Sequence, residues 1–443
     1  MKLITVDPHA EWRARYADRK RLIVTDDDTC SKALQKLDRA LSAGTPGFGL
    51  DCETDTVNRV EVQPITVQIS YDNQDILFGP DHIRELKPWI DQRPTMFGFE
   101  SKFELWALEN AGMRWRGDVH DAQITDYLIN ENVKDYDLKT RMAAISGQKK
   151  RPDWKELFKN RKSSEIWANE QERPLFIDYS LADSADHLWL NENRAEELRK
   201  WPHRKDGSGN MYDNFYKRSE VPLTKVLYRM ERVGALIDTE YLTELHEIAQ
   251  TTMEKIQRKF YREIDYENLP KQAKKRIKGD FAGFSEKLMN SPTQLMALFY
   301  RSKEEGGLGY PRQYHMVKDK KTGQKVKKLT TNDDALAQLA SEGHTAAQLL
   351  QDNREVAKLD STYLVGLIGH ADFEHYVHTN FMQAFTTTGR LSSRDPNLQN
   401  IPRIPEGDLT DVPEYMQQIR YGIRGAFIAP PGYVIVGGDY GQI

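Results

Sequence analysis

Asp51 and Glu53 stand one residue apart in Phe48-Gly49-Leu50-Asp51-Cys52-Glu53-Thr54, a run that reads as a strand. Residues two apart on a strand project from the same face, so both carboxylates share one side. Like charges this close repel unless a cation neutralises them. Mg²⁺ takes oxygen ligands, commonly one or two protein carboxylates together with substrate phosphate. A further acidic position is Glu104, in Phe97-Gly98-Phe99-Glu100-Ser101-Lys102-Phe103-Glu104-Leu105, where a short apolar strand runs into a helix. The third pattern is Asp178-Tyr179-Ser180-Leu181-Ala182-Asp183. Tyr179 and Asp183 are neighbours on one helix face, and a phenol beside a carboxylate can orient a water for attack. Each pattern also has a plain structural reading: a solvated strand face, a Glu that favours a helix N-terminus, and a surface Asp beside a half-buried Tyr.

The elements that position these groups follow from periodicity. Leu22 to Thr25 reads as a strand, followed by the acidic turn Asp26-Asp27-Asp28 and a helix with Thr29 or Ser31 as its cap and Ala33, Leu34, Leu37 and Leu41 inward. Ile65 to Ser70 alternates apolar and polar residues and should pair beside the Asp51 strand. Asp178 is a candidate N-cap for the Tyr179 helix. The Lys/Arg-rich stretch 147–162, which includes Arg151, reads as a solvated face or a path for single-stranded nucleic acid. Residues 200–215 read as a polar linker. A helix then starts near Ser219 and ends at Gly234, with Leu223, Val226, Leu227 and Met230 as its apolar stripe, and a longer one runs from Asp238 to about Glu263.

A chain of 443 residues suggests about two to four domains. The formal net charge of −4 announces no nucleic acid by itself, so any such surface must be a local patch. Two cysteines, Cys30 and Cys52, show no metal or disulfide spacing, which fits a reducing cytosol, and no apolar run approaches membrane-spanning length.

The last sixty residues are different in character. Thr386-Thr387-Thr388-Gly389-Arg390-Leu391-Ser392-Ser393-Arg394-Asp395-Pro396-Asn397-Leu398-Gln399-Asn400-Ile401-Pro402 has neither helical nor strand period, and its hydroxyls, amides and two Arg can present many donors to one polymer. Tyr433 to Val436 reads as a strand delivering Asp439 in Asp439-Tyr440-Gly441-Gln442-Ile443.

These two stretches resemble the TGRLSS-x-x-PNLQNIP motif and motif A of the family A DNA polymerases, the bacterial DNA polymerase I type that phages also encode. The upstream patterns, in order, resemble the Exo I, Exo II and Exo III motifs of the 3′–5′ proofreading exonuclease that this family carries before its polymerase domain. Exo II departs from the family: Glu100 and Glu104 stand where an Asn and an Asp are usual. Asn290-Ser291-Pro292-Thr293-Gln294-Leu295 is similar to the family's thumb motif, and Arg354 to Leu364 to the helix that ends the thumb.

The resemblance implies an α/β fold: a ribonuclease H-like exonuclease domain with a mixed sheet and helices (1–205), a linker and palm-entry helix (206–235), a mainly helical thumb (236–380) and the first part of an α+β palm (381–443). It implies Asp51, Glu53, Glu104, Tyr179 and Asp183 as exonuclease residues, the four carboxylates holding two Mg²⁺ ions, with Mn²⁺ as an alternative. It implies Asp439 and Tyr440 at a polymerase metal site. DNA contacts fall to Thr388, Arg390, Asn397, Gln399 and Asn400, and in the thumb to Asn290, Lys320, Lys321 and Lys325, the last three in a basic turn between short strands. The expected substrates are a primer–template and single-stranded 3′ ends, in the cytoplasm, of a host if phage-encoded. Because motif A breaks off at Ile443, the expectation is the N-terminal part of a split or truncated polymerase that proofreads but needs a second polypeptide, with fingers and the remaining palm, for synthesis. The alternatives are a stand-alone exonuclease and a non-catalytic DNA-binding scaffold.

Overall fold

The computed structural model describes residues 9–133, 135–204, 207–269, 287–319, 322–402 and 413–441. They divide into two compact units, Met1–Gly234 with His378–Gln399, and Ala235–Val377 with Asn400–Ile443.

The first unit is built on a six-stranded mixed sheet. Its strands are β1 (Lys20–Val24), β2 (Phe48–Thr54), β3 (Pro64–Tyr71), β4 (Gln74–Phe78), β5 (Met96–Gly98) and β6 (Val119–Asp121), in the order β1-β4-β3-β2-β5-β6. β2 pairs antiparallel with β3, placing Asp51 opposite Gln68 and Glu53 opposite Thr66, and parallel with β5. β3 pairs beside β2 as its alternation predicts, and its polar residues Thr66, Gln68 and Ser70 are all fully buried. Their face is roofed by a long helix, and Ser70 Oγ lies 2.9 Å from Ser184 Oγ on it. The opposite side holds the apolar core, with Leu37, Phe48, Leu50, Val67, Ile69, Phe78 and Trp89.

Its longer helices are α1 (Asp27–Ser42), α2 (Lys102–Asn110), α3 (Ala122–Ile129), α4 (Leu138–Ser146), α5 (Arg173–Arg199) and α6 (Val221–Val233). Asp26, not Thr29 or Ser31, caps α1: its carboxylate accepts from the Thr29 N–H, and the Thr29 hydroxyl closes a reciprocal capping box. α5 is the roof over β3, and it begins at Arg173 with Pro174 in its first turn. Asp178 therefore lies inside the helix rather than at its cap, buried and paired with Arg13 and Arg21. Residues 212–220 are helical, not linker, because Tyr212 and Tyr216 are buried around His120. α6 ends at Gly234 as its sequence predicts, but its inward stripe is Val221, Thr224, Leu227, Tyr228 and Glu231, while Val226 and Met230 are exposed. A hairpin of strands Asn380–Met382 and Ser392–Arg394 completes this unit.

The second unit is mostly helical. α7 (Thr239–Glu263) is capped by Asp238 and carries Phe260 into a core with Leu295, Leu298 and Phe299 from α8 (Pro292–Tyr300), Leu336 and Leu339 from α9 (Asp333–Ser341), and Leu350 from α10 (Thr345–Lys358). Between α8 and α9, strands Tyr314–Lys318 and Lys325–Leu329 form an exposed basic hairpin. No helix among the described residues is long and apolar enough to cross a membrane.

Candidate functional site

The site begins with strand geometry. Asp51 and Glu53 emerge from the same face of β2, under α5, which brings Asp183 over them. α5 can come this close because residue 49 is glycine: a Cβ there would meet the Ser184 carbonyl oxygen at 2.3 Å. Two polar contacts fix the helix in register, His187 Nδ1 donating to Leu50 O at 2.7 Å and Asn191 Nδ2 donating to Gly98 O at 2.8 Å. As a result one ligand oxygen from each of Asp51, Glu53 and Asp183 falls within 4.8 Å of the others.

Glu104 sits in the first turn of α2, 4% exposed. It stands outside the three-carboxylate group, yet the Asp51 charge adds to burial in pushing its carboxyl well above the usual range. Burial first, then the neighbouring carboxylates, does the same to Glu53. Burial and Asp183 push Asp51 up to about 6, with His187 acting in the opposite direction. Glu53 Oε1 and Glu104 Oε2 are buried, and among the described residues neither has a hydrogen-bond donor. Orphaned buried carboxylate oxygens are costly, and hard oxygen ligands are what a divalent cation of the Mg²⁺ class takes. The residues present therefore fit such an ion.

Asp183 is treated differently. Burial disfavours its charge, but Lys139 and Arg151 outweigh that and hold its carboxyl low. Lys139, on the first turn of α4, donates from Nζ to Asp183 Oδ2 at 3.2 Å and to the Tyr179 hydroxyl oxygen at 2.7 Å. Arg151 donates from Nη2 to Asp183 Oδ1 at 2.6 Å and to Asp186 Oδ2 at 2.5 Å. Asp186 also accepts from the Tyr16 hydroxyl at 2.6 Å. Lys139 is a donor only, so the Tyr179 hydroxyl hydrogen is not spent on that contact.

Sequence reasoning missed this cationic support. Arg151, read as part of a solvated basic run, is 3% exposed. The available signal was Asp186, three residues beyond Asp183 on one helix and in need of a cation if buried. Nothing in the sequence singles out Lys139.

The C-terminal candidates are distributed otherwise. Thr388, Arg390, Asn397 and Gln399 are exposed on the loop and its flanks in the first unit, where Tyr127 donates to Thr386 O at 2.6 Å and Thr386 to Arg390 O at 2.7 Å. Asn400 is exposed in the second unit, its carbonyl accepting from Tyr363 OH at 2.6 Å. Asn290 and Lys325 are exposed, and Lys320 and Lys321 lie outside the described residues. The expected strand at Tyr433 to Val436 does not form. These residues are irregular and 67–86% exposed, because no strand among the described residues pairs with them. Asp439 and Tyr440 are exposed as well, Asp439 accepting from the Tyr440 N–H at 2.9 Å.

The family model for DNA polymerase family A matches residues 239–443. That match covers a little under half of the chain, and the fold is a mixed α/β arrangement. Its relatives include DNA polymerase I of Pseudomonas aeruginosa, 28% identical over 82% of this chain and 34% of that protein, and DNA polymerase I of Streptococcus pneumoniae, 34% identical over 51% of this chain and 21% of that protein. The chain spans about a third of the length of relatives such as the Pseudomonas aeruginosa protein. Among solved structures, the POL domain of Pol1 from M. smegmatis, in complex with a DNA primer-template and dNTP, is similar in fold, with TM-score 0.62 and 22% identity over 94% of this chain and 59% of that one.

Proposed function

We propose that this chain is a DNA-handling part of a family A DNA polymerase whose first unit is a 3′–5′ exonuclease. The observation that carries the reading is the convergence of Asp51, Glu53 and Asp183 within 4.8 Å, with Glu104 buried nearby. Asp51, Glu53, Glu104 and Asp183 would hold divalent cations, Mg²⁺ in the first place. When bound, such ions supply Lewis-acid stabilisation of charge on a phosphodiester and lower the pKa of water.

The chain's own groups account for the rest. Tyr179, its oxygen accepting from Lys139, presents its hydroxyl hydrogen to orient the attacking water. Lys139 and Arg151 keep Asp183 ionised in a buried setting. The roof of α5 over β2 and β3 excludes bulk water from one side. A frayed single-stranded 3′ end is the substrate this arrangement suits, with duplex held by the exposed donors Thr388, Arg390, Asn397, Gln399 and Asn400. Minor-groove acceptors shared by all base pairs allow such donors to check shape without reading sequence. Asn290 and the basic thumb hairpin with Lys320, Lys321 and Lys325 would track phosphates.

For synthesis, Asp439, with Tyr440, would contribute to a second metal site. The exposed apolar run Tyr433 to Val436 suits completion by a further palm segment, on the same or another polypeptide. The test is a 5′-labelled primer with a 3′ mismatch, incubated with Mg²⁺ and either wild type or Asp51→Ala. Asp51-dependent shortening from the 3′ end is expected. Absence of shortening, or equal shortening by the variant, would leave only a binding role.

A further inference from the structure

Glu100 stands where the resembling motif has Asn, and Arg394 fills one of the two unspecified positions of the duplex-loop motif. In the structure the two meet: Arg394 Nη2 donates to Glu100 Oε1. Arg59, from the β2–β3 connection, approaches the same Glu100 oxygen at 3.9 Å. Both arginines are only partly satisfied. Arg59 Nη1 is buried without a hydrogen-bond acceptor, 3.7 Å from Glu231 Oε2. Arg394 Nε is likewise buried without one, 3.6 Å from Asp395 Oδ2. Separations of this size are ion pairs rather than hydrogen bonds.

Glu231 is engaged through Oε1, while its Oε2 is buried without a donor among the described residues and faces Arg59 Nη1. It accepts from Lys102 Nζ and from the Phe381 N–H at 2.8 Å, and Lys102 also donates to Asn380 Oδ1 at 3.0 Å. That network fixes helix α6, the start of α2 and the Asn380–Met382 strand together, so the two guanidinium groups are held on a firm base. Glu100 and Arg394 are each 40% exposed, whereas Arg59 is 15% exposed. The backbone at Glu100 is held in the left-handed region (φ 63°), its N–H on Asp121 Oδ1 at 3.2 Å, and it leads directly into the helix that bears Glu104.

We propose that Arg59 and Arg394 form a phosphate subsite for a DNA strand leaving the duplex loop toward the exonuclease carboxylates, and that the Glu100 carboxylate fills this subsite when no DNA is bound. The proposal rests on the exonuclease reading above. A phosphodiester in the place of the Glu100 carboxylate would meet Arg394 Nη2 and Arg59 Nη2, the two atoms that Glu100 now faces, and guanidinium–phosphate pairs favour fork geometry. Glu100 is a weaker occupant: it is 40% exposed and reaches Arg59 only at 3.9 Å. A strand phosphate would displace it.

The experiment measures binding of a fluorescent primer–template with a frayed 3′ end by anisotropy, in EDTA so that nothing is cleaved, across a salt series. Wild type, Glu100→Gln, Arg394→Gln and the double variant are compared, with thermal melting as the check on folding. Glu100→Gln should bind roughly two- to fivefold tighter at low salt, the scale of one part-exposed ion pair. Arg394→Gln should weaken binding and reduce the slope of log K against log salt by about 0.7–0.9, as expected for one lost phosphate contact. In the Arg394→Gln background, Glu100→Gln should have no further effect.

Tightening by Glu100→Gln that persists without Arg394, or no tightening at all, would overturn the proposal while wild-type binding left the parent reading standing. If wild type does not bind this DNA, the parent reading fails and the subsite fails with it. Inorganic phosphate at matched ionic strength should leave the complex intact. If it displaces DNA from wild type and from Arg394→Gln alike, the strand is held elsewhere and the subsite assignment is wrong.

Discussion

Arg151 Nη2 lies 2.6 Å from Asp183 Oδ1, and both residues are almost fully buried. The guanidinium also bonds Asp186 and lies over the rings of Trp12 and Tyr16, so it ties the N-terminal segment, the 147–162 stretch and α5 to one carboxylate of the acidic cluster.

Removing one partner of a buried ion pair leaves the other uncompensated. Arg151→Met should therefore lower the stability of the first unit by about 3–5 kcal/mol. Urea unfolding followed by tryptophan fluorescence measures it. A loss below about 1 kcal/mol, the surface-pair range, would mean that the network is not what holds Asp183.

The Tyr179 hydroxyl oxygen accepts from Lys139 Nζ at 2.7 Å, which leaves its hydrogen for a second partner. Tyr179→Phe should slow 3′-end cleavage by on the order of 10–100-fold, the scale of a lost positioning contact, and leave Mn²⁺ affinity unchanged. A fall in metal affinity equal to the fall in rate would show that the ring, rather than the hydroxyl, matters.

How much of this was legible in the sequence depends on the residue. Asp51 and Glu53 were, because strand period places them on one face whatever surrounds them. Tyr179 and Asp183 were, by the same logic on a helix. The pairing of β2 with β3 followed from alternation, but the burial of Thr66, Gln68 and Ser70 did not, since it depends on α5 arriving from more than a hundred residues later. Lys139 and Arg151 were illegible for the same reason: a buried cation is defined by its partner, and their partner Asp183 is 44 and 32 residues away in sequence. The strand expected at Tyr433 to Val436 had the right composition and no partner, and composition cannot supply one.

Glu104 has the longer side chain where an Asp is usual. In this site Glu104 Oε2 is buried without a donor and near enough to Asp51 to feel its charge. Glu104→Asp should draw that oxygen back and lower cleavage by on the order of 10–100-fold, as misplacements of about an ångström do. Steady-state cleavage of a mismatched primer measures it, and an unchanged or faster rate would mean the backbone, not the side chain, sets the ligand position.

The carboxyl of Asp51 is pushed up to about 6 from an ordinary 3.8, chiefly by burial. The folded, metal-free protein therefore holds this proton more tightly than the unfolded chain does. The resulting stability is fully present below the unfolded value and is lost as pH rises through about 6. Melting in EDTA from about pH 4 to about pH 7 should show wild type losing stability relative to Asp51→Asn across that window. A difference that is flat, or grows in favour of wild type, contradicts the shift. Divalent ions bind the deprotonated group, so metal affinity should move the opposite way, rising with pH through about 6.

If Asp51, Glu53 and Asp183 form a cation centre, titration of Mn²⁺ into the metal-free protein, read by electron paramagnetic resonance, reports it. Saturable binding to wild type, lost or strongly weakened in Asp51→Asn and in Glu53→Gln with melting behaviour preserved, is the predicted result. Identical isotherms for wild type and both variants would contradict it.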